Sequence, residues 1–123
     1  MANLSKKTLV LGASSNPSRY SNMAIARLRS FKHPVVGIGK RVGKVADVDI
    51  IVDHPSFEAV DTVTVYMNAA NQKQYYDYIL SLHPKRIIFN PGAENDELEQ
   101  LANKNGIQTM EACTLVLLST GQY

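Results

Sequence analysis

Residues 7–21 read KTLVLGASSNPSRYS. Lys7 to Leu11 is a short aliphatic and β-branched run, and Gly12 stops it, the mark of a strand that ends in a sharp turn. Beyond the turn, Ser21 to Phe31 sets Ile25, Leu28 and Phe31 near one face and Arg27, Arg29 and Ser30 elsewhere, an amphipathic helix. Strand, small-residue loop and helix make the opening of a βαβ unit, and the rest of the chain continues the alternation. Strands are expected at Pro34 to Ile38, Val48 to Val52 (short and near an edge), Asp61 to Tyr66, Arg86 to Phe89 and Ile107 to Met110. A second helix is expected over Asn71 to Leu82, where Tyr75, Ile79 and Leu82 fall at i, i+4 and i+7. A third spans Glu94 to Asn105 and stops at Gly106, and Ala112 to Leu118 reads as a terminal helix. Such alternation predicts a parallel sheet with right-handed crossovers and helices on both faces. The expected fold is α/β: a three-layer, Rossmann-like, doubly wound and mostly parallel sheet of five or six strands, with residues 1–123 as a single domain.

Composition narrows the classes of function. The 123 residues are 45% apolar and 20% charged, the balance of an ordinary globular domain rather than a disordered or coiled-coil chain. Thirteen basic and eleven acidic residues leave a net charge of +2, too weak to imply nucleic acid by bulk charge. Runs such as Ile50 to Val52 and Leu115 to Leu118 fall far short of the ~20 apolar residues of a membrane span. Met1 to Leu11 has no apolar core of a secretory leader, and a lone cysteine allows no internal disulfide, so a cytoplasmic location is expected.

Ligands of a doubly wound sheet sit beyond the carboxyl ends of its strands. The first loop there is Gly12-Ala13-Ser14-Ser15-Asn16-Pro17-Ser18-Arg19-Tyr20. Gly12 permits the tight exit, the small residues allow close approach of an anion, and the following helix offers N–H groups and a positive dipole end. Arg19 adds a fork suited to phosphate oxygens. A dinucleotide fingerprint would need glycines where Ser14 and Pro17 stand, and no Gly-Lys-Ser/Thr of a P-loop follows. The plain alternative is a Ser/Asn-rich turn with a helix cap. The second loop, Gly39-Lys40-Arg41-Val42-Gly43, has cations where an NAD site would carry an acid. Lys40 and Arg41, with Lys44 behind them, suit a ribose phosphomonoester, either the 2′-phosphate of NADP or the 3′-phosphate of coenzyme A; a solvated basic turn is the alternative.

The segment Lys7 to Ser21, above all its G-x-S-S-x-P-x-R core, resembles the opening of the small single-domain CoA-binding proteins. These are similar to the CoA-binding Rossmann domain of the succinyl-CoA synthetase alpha subunit. Gly39-Lys40 resembles the P-G-K turn of that domain, and Cys113 matches a late cysteine that recurs in the small proteins. The resemblance spans roughly Lys7 to Leu118. It departs from the small proteins at Gly39-Lys40-Arg41 and at Asn90-Pro91-Gly92-Ala93. It implies CoA binding on a Rossmann-like fold, often without an assigned reaction.

Two further loops border the expected cleft. Tyr66 and Met67 are placed to pack on an adenine or a pantetheine arm, or else in the core. Asn90-Pro91-Gly92 is a turn ahead of Glu94, Asp96, Glu97 and Glu99, acids that complement a helix dipole rather than serve catalysis. His33, His54 and His83 each precede a proline, which marks extended loop junctions, and their spacing fits no metal site. Cys113 is either a buried structural thiol or a thiol near the ligand's own sulfhydryl. Tyr75, Tyr76 and Tyr78 cover more than one face of their helix, so they are expected to pack partly in the core and partly at the surface, where a self-association patch for a homo-oligomer is one reading. The expected function is non-covalent binding of coenzyme A or an acyl-CoA, a small-molecule nucleotide ligand, with no membrane or nucleic-acid partner and no complete catalytic site. An NADP-binding oxidoreductase and a ligand-sensing interaction subunit are the alternatives.

Overall fold

In the computed structural model, which describes residues 5–123, the run TLVL forms strand β1 (Thr8–Leu11), all four residues of which are buried. A strand hidden on both faces belongs in the middle of a parallel sheet. β1 indeed pairs in parallel with β2 (Val35–Ile38) on one side and β5 (Thr62–Val65) on the other. Beyond β2 lies β4 (Val48–Ile51), also parallel, and beyond β5 lie β6 (Arg86–Phe89) and β7 (Gln108–Glu111).

The sheet has seven strands rather than five or six, in the order β3-β4-β2-β1-β5-β6-β7. The strand missing from the sequence reading is β3 (Gly43–Val45), which folds back antiparallel onto β4. It covers the edge that Val48 to Val52 was expected to occupy. Its two-residue turn is Ala46-Asp47, with Ala46 at φ +53°. Arg29 of helix α1 (Tyr20–Ser30) grips Asp47 bidentately, Nε to Oδ1 at 2.8 Å and Nη2 to Oδ2 at 2.9 Å. That contact holds the Asp47 carboxyl below the usual carboxylate range.

Alternation along the strands sends side chains to two cores. Leu9, Leu11, Val63, Val65, Ile87 and Phe89 face helices α3 (Tyr76–Ser81) and α4 (Asp96–Lys104), meeting Ile79, Leu98 and Ala102. Val10, Val48 and Ile50 face α1 and α5 (Thr114–Ser119), meeting Ile25, Leu28 and Leu118. The helix expected over Asn71 to Leu82 is broken: α2 (Ala69–Gln72) gives way to a 3-10 turn at Lys73–Tyr75 before α3 begins. The break lets both Gln72 and Tyr75 turn inward. Of the three His-Pro junctions, His83 departs from the extended form and takes φ +49°. Among the described residues no helix is long and apolar enough to cross a membrane.

At the amino end of the sheet, the Lys6 N–H donates to Nδ1 of buried His33 at 2.9 Å. The Tyr123 ring lies 5.0 Å from the imidazole, and the Arg86 guanidinium sits over the same Tyr123 ring, 4.3 Å from its centre. Burial, then the charges of Lys6 and Arg86, push the His33 imidazole below its ordinary value, against Asp61. The folded chain thus holds His33 neutral, and the unfolded chain takes the proton first as pH falls. Stability is full above the ordinary imidazole value of about 6.5 and declines as pH drops through it toward the lowered folded value. Thermal melts at about pH 7.5 and about pH 5.5 should show this loss. His33→Asn, whose amide oxygen can accept the same N–H, should show less of it; an equal loss in both would clear His33 of the effect.

Candidate functional site

The chain leaves β1 toward β2 on one side and later returns to β1 through β5 on the other. The crevice outside the carboxyl ends of β1 and β5 is therefore the switch point where such sheets bind ligands.

The first loop is tied down at its base. Gly12 turns at φ +93°, and a Cβ there would lie 3.2 Å from the Tyr66 carbonyl carbon. The N–H groups of Gly12 and Ala13 both donate to the Ile38 carbonyl at 2.9 Å. Further out, Asn16 organises the turn: its Oδ1 accepts from the Ser18 N–H at 3.0 Å, and its carbonyl accepts from the Arg19 N–H at 3.0 Å. Ser14 Oγ accepts from the Asn16 N–H at 3.1 Å, and Asn22 Nδ2 donates to the Ser14 carbonyl at 3.0 Å. Ser15, Asn16, Pro17, Ser18, Arg19 and Tyr20 are exposed. No side chain caps α1, whose first turn follows directly on this loop.

The basic turn is locked against the first loop at two glycines. A Cβ on Gly39 would fall 2.2 Å from the Ala13 carbonyl oxygen, and one on Gly43 would fall 2.9 Å from Ser15 Cβ. These contacts bracket Lys40, Arg41 and Val42, all exposed. Two segments remote in sequence thus form one continuous rim, with the small-residue loop on one side and cations on the other.

Across the crevice, the Tyr66 N–H donates to the Leu11 carbonyl at 2.9 Å. The Tyr66 ring packs on the α1/α5 core, and its hydroxyl is buried without a hydrogen bond of good geometry. Burial drives its ionisation far above the ordinary phenol range, opposed by the nearby Thr114 hydroxyl. Met67 turns to the opposite face of the sheet, half-buried against the α3/α4 core. Pro91 and Gly92 are exposed, whereas Asn90 points inward. Its Nδ2 donates to Thr64 Oγ1 at 2.6 Å and to the Val65 carbonyl at 2.9 Å, and its Oδ1 accepts from the Thr114 N–H at 2.9 Å. Asn90 therefore supports the crevice from beneath and caps α5. Cys113, the residue before α5, is half-buried with a free thiol. Tyr75 is buried and Tyr78 donates its hydroxyl to the Pro55 carbonyl at 2.7 Å, so these rings are engaged within the chain.

Several supporting residues carried no sequence signal. Thr64 and Thr114, joined hydroxyl to hydroxyl at 2.7 Å, read as ordinary strand and helix residues. Buried Gln72 lay within the expected helix over Asn71 to Leu82 with nothing to mark it. Asn95 alone was findable, as a cap before the acidic turn; its Oδ1 accepts from the Leu98 N–H at 3.1 Å.

This architecture recurs in solved structures. A crystal structure of an uncharacterized protein is 50% identical, covers 98% of this chain and 100% of its own, and superposes with a TM-score of 0.95. A Thermus thermophilus protein at 20% identity covers 97% and 91% with a TM-score of 0.84, and a Pyrococcus horikoshii OT3 protein at 18% covers 95% and 84% with 0.81. At such low identities these last two share the fold alone. No curated protein matches the chain. The family model of the CoA binding domain matches residues 6–119, a span that takes in β1, the first loop, the basic turn and every strand of the sheet, so the chain belongs to the CoA-binding domain family.

Proposed function

We propose that this protein binds coenzyme A or an acyl-CoA non-covalently, with the first loop and the α1 amide end holding the pyrophosphate. Lys40 and Arg41 meet the ribose 3′-phosphate, and the 66–67 and 90–92 loops flank the arm. Family membership supports a CoA-binding role in general. The observation that supports this division of the ligand is the interlock of Gly39 with Ala13 and of Gly43 with Ser15. It sets a backbone cradle and two cations side by side on one rim of the sheet.

Coenzyme A at a hundred times its Kd should stabilise the fold by about 2.7 kcal/mol, visible as a higher melting temperature. Lys40→Ala should weaken coenzyme A by roughly tenfold to a hundredfold, the loss of a charge-assisted contact, and should leave dephospho-CoA nearly unaffected. Arg19→Ala should weaken both alike, because the pyrophosphate is common to them. Stabilisation by NADP and not by coenzyme A would overturn the reading in favour of a dinucleotide. Equal losses of both CoA forms in Lys40→Ala would remove Lys40 from the 3′-phosphate.

A further inference from the structure

Gln72 is fully buried, although it ends a helix of only four residues. Its Nε2 donates to the Met67 carbonyl and to the Ala93 carbonyl, each at 2.8 Å. Its Oε1 accepts from Asn95 Nδ2 at 2.8 Å, and the same Asn95 nitrogen reaches the Tyr76 hydroxyl at 2.9 Å. Every polar atom of the Gln72 side chain is thus engaged. The two carbonyls it grips belong to the loops that follow β5 and β6, adjacent strands of the sheet. The first loop and the basic turn touch directly at glycines. Further out, the β5 and β6 loops are instead bridged between Met67 and Ala93 by one amide group, which sets their separation there.

Under the coenzyme A reading above, the 3′-phosphate lies on the β2 side and the pyrophosphate at β1. The rest of the ligand then leaves toward β5 and β6. From this geometry we infer that Gln72 is a positioning residue for the ligand's arm, setting the width of the slot between residues 66–68 and 90–93. It touches no ligand atom itself. Because it acts on the arm side alone, its loss separates ligands that carry the arm from those that lack it. A purely structural role would affect both equally.

The test is calorimetric titration of wild type and Gln72→Met with coenzyme A and with adenosine 3′,5′-bisphosphate, which lacks the arm. Methionine keeps the volume and removes both donors. Coenzyme A should weaken by about tenfold in the variant while the bisphosphate changes less than about twofold. Equal weakening of both, or of neither, overturns the inference and leaves the coenzyme A reading standing. A wild type that binds the bisphosphate and coenzyme A equally well has no arm slot, which also overturns it. A wild type that binds neither overturns the coenzyme A reading itself, and the inference with it. Should Gln72→Met not fold, amide exchange on the wild type decides. Coenzyme A should slow Met67, Asn68 and Gly92, and the bisphosphate should not; identical exchange with both ligands rejects the slot.

Discussion

Gly39→Ala should destabilise the protein by at least about 3 kcal/mol, read from the urea midpoint. The added Cβ would lie 2.2 Å from the Ala13 carbonyl oxygen, far inside van der Waals contact, and 3.2 Å from Ile50 Cγ2. Neither backbone can step aside easily. The Ala13 N–H is bonded to the Ile38 carbonyl at 2.9 Å and the Gly39 N–H to the Ile51 carbonyl at 3.0 Å. Relief therefore breaks a ladder bond or spreads β2 from β1. Gly43→Ala is the control: its Cβ would meet the Ser15 side chain at 2.9 Å, on an exposed loop that can give. The order of damage should be Gly39 well above Gly43. A Gly39→Ala protein within about 1 kcal/mol of wild type would mean that the two loops do not meet as described.

Asn90→Leu should cost about 1–3 kcal/mol. Leucine nearly matches the volume, so the cavity contribution is small. The hydrogen bonds are another matter. The Thr114 N–H would lose its partner in a buried place, whereas the Thr64 hydroxyl keeps Thr114 Oγ1 and the Val65 carbonyl keeps the residue 90 N–H. A buried group left unpaired costs about 1–3 kcal/mol. Asn90→Asp separates the two halves of the amide: it keeps an acceptor for Thr114 and loses both donated bonds. It should fall between wild type and Asn90→Leu. Native-state hydrogen exchange would show the α5 amides opening first, since the cap of that helix is what leaves. If denaturant melts place Asn90→Leu within about 1 kcal/mol of wild type, the network is not holding the crevice together.

The strands at 8–11, 35–38, 62–65 and 86–89 were legible as short runs rich in aliphatic and β-branched residues, and 48–51 kept that mark despite its exposed Asp49. β3 was not, because Gly43-Lys44-Val45 has no such run and its turn lacks Asn-Gly. Ala46 adopts a left-handed conformation that glycine or asparagine would have advertised. The helix break at 73–75 hid behind correct periodicity, since Tyr75 within it and Ile79 beyond it both face inward. In the candidate site, loop positions could be read from glycines and cations, which are local features. The contacts of Ser15 with Gly43 and of Asn90 with Thr114 could not, because they join residues far apart in the chain. Asn90 shows the limit most clearly: its type and position suggest a ligand contact, while its hydrogen bonds all run inward.

The central place of β1 bears on how the chain acquires its shape. Leu9 pairs with Val36 on one flank and with Val63 on the other. Of the strands in this sheet, the earliest in the chain is thus the one that needs the most downstream residues before both its edges are covered. At about 5–20 residues per second, roughly 3–10 s of synthesis separates β1 from β5. Throughout that interval an apolar strand presents open hydrogen-bonding groups, the circumstance in which strands find wrong partners. Closing such distant pairs also makes for slow folding. The strand that carries the first loop is therefore the strand of this sheet most exposed to aggregation during synthesis, and the one a chaperone would most usefully cover.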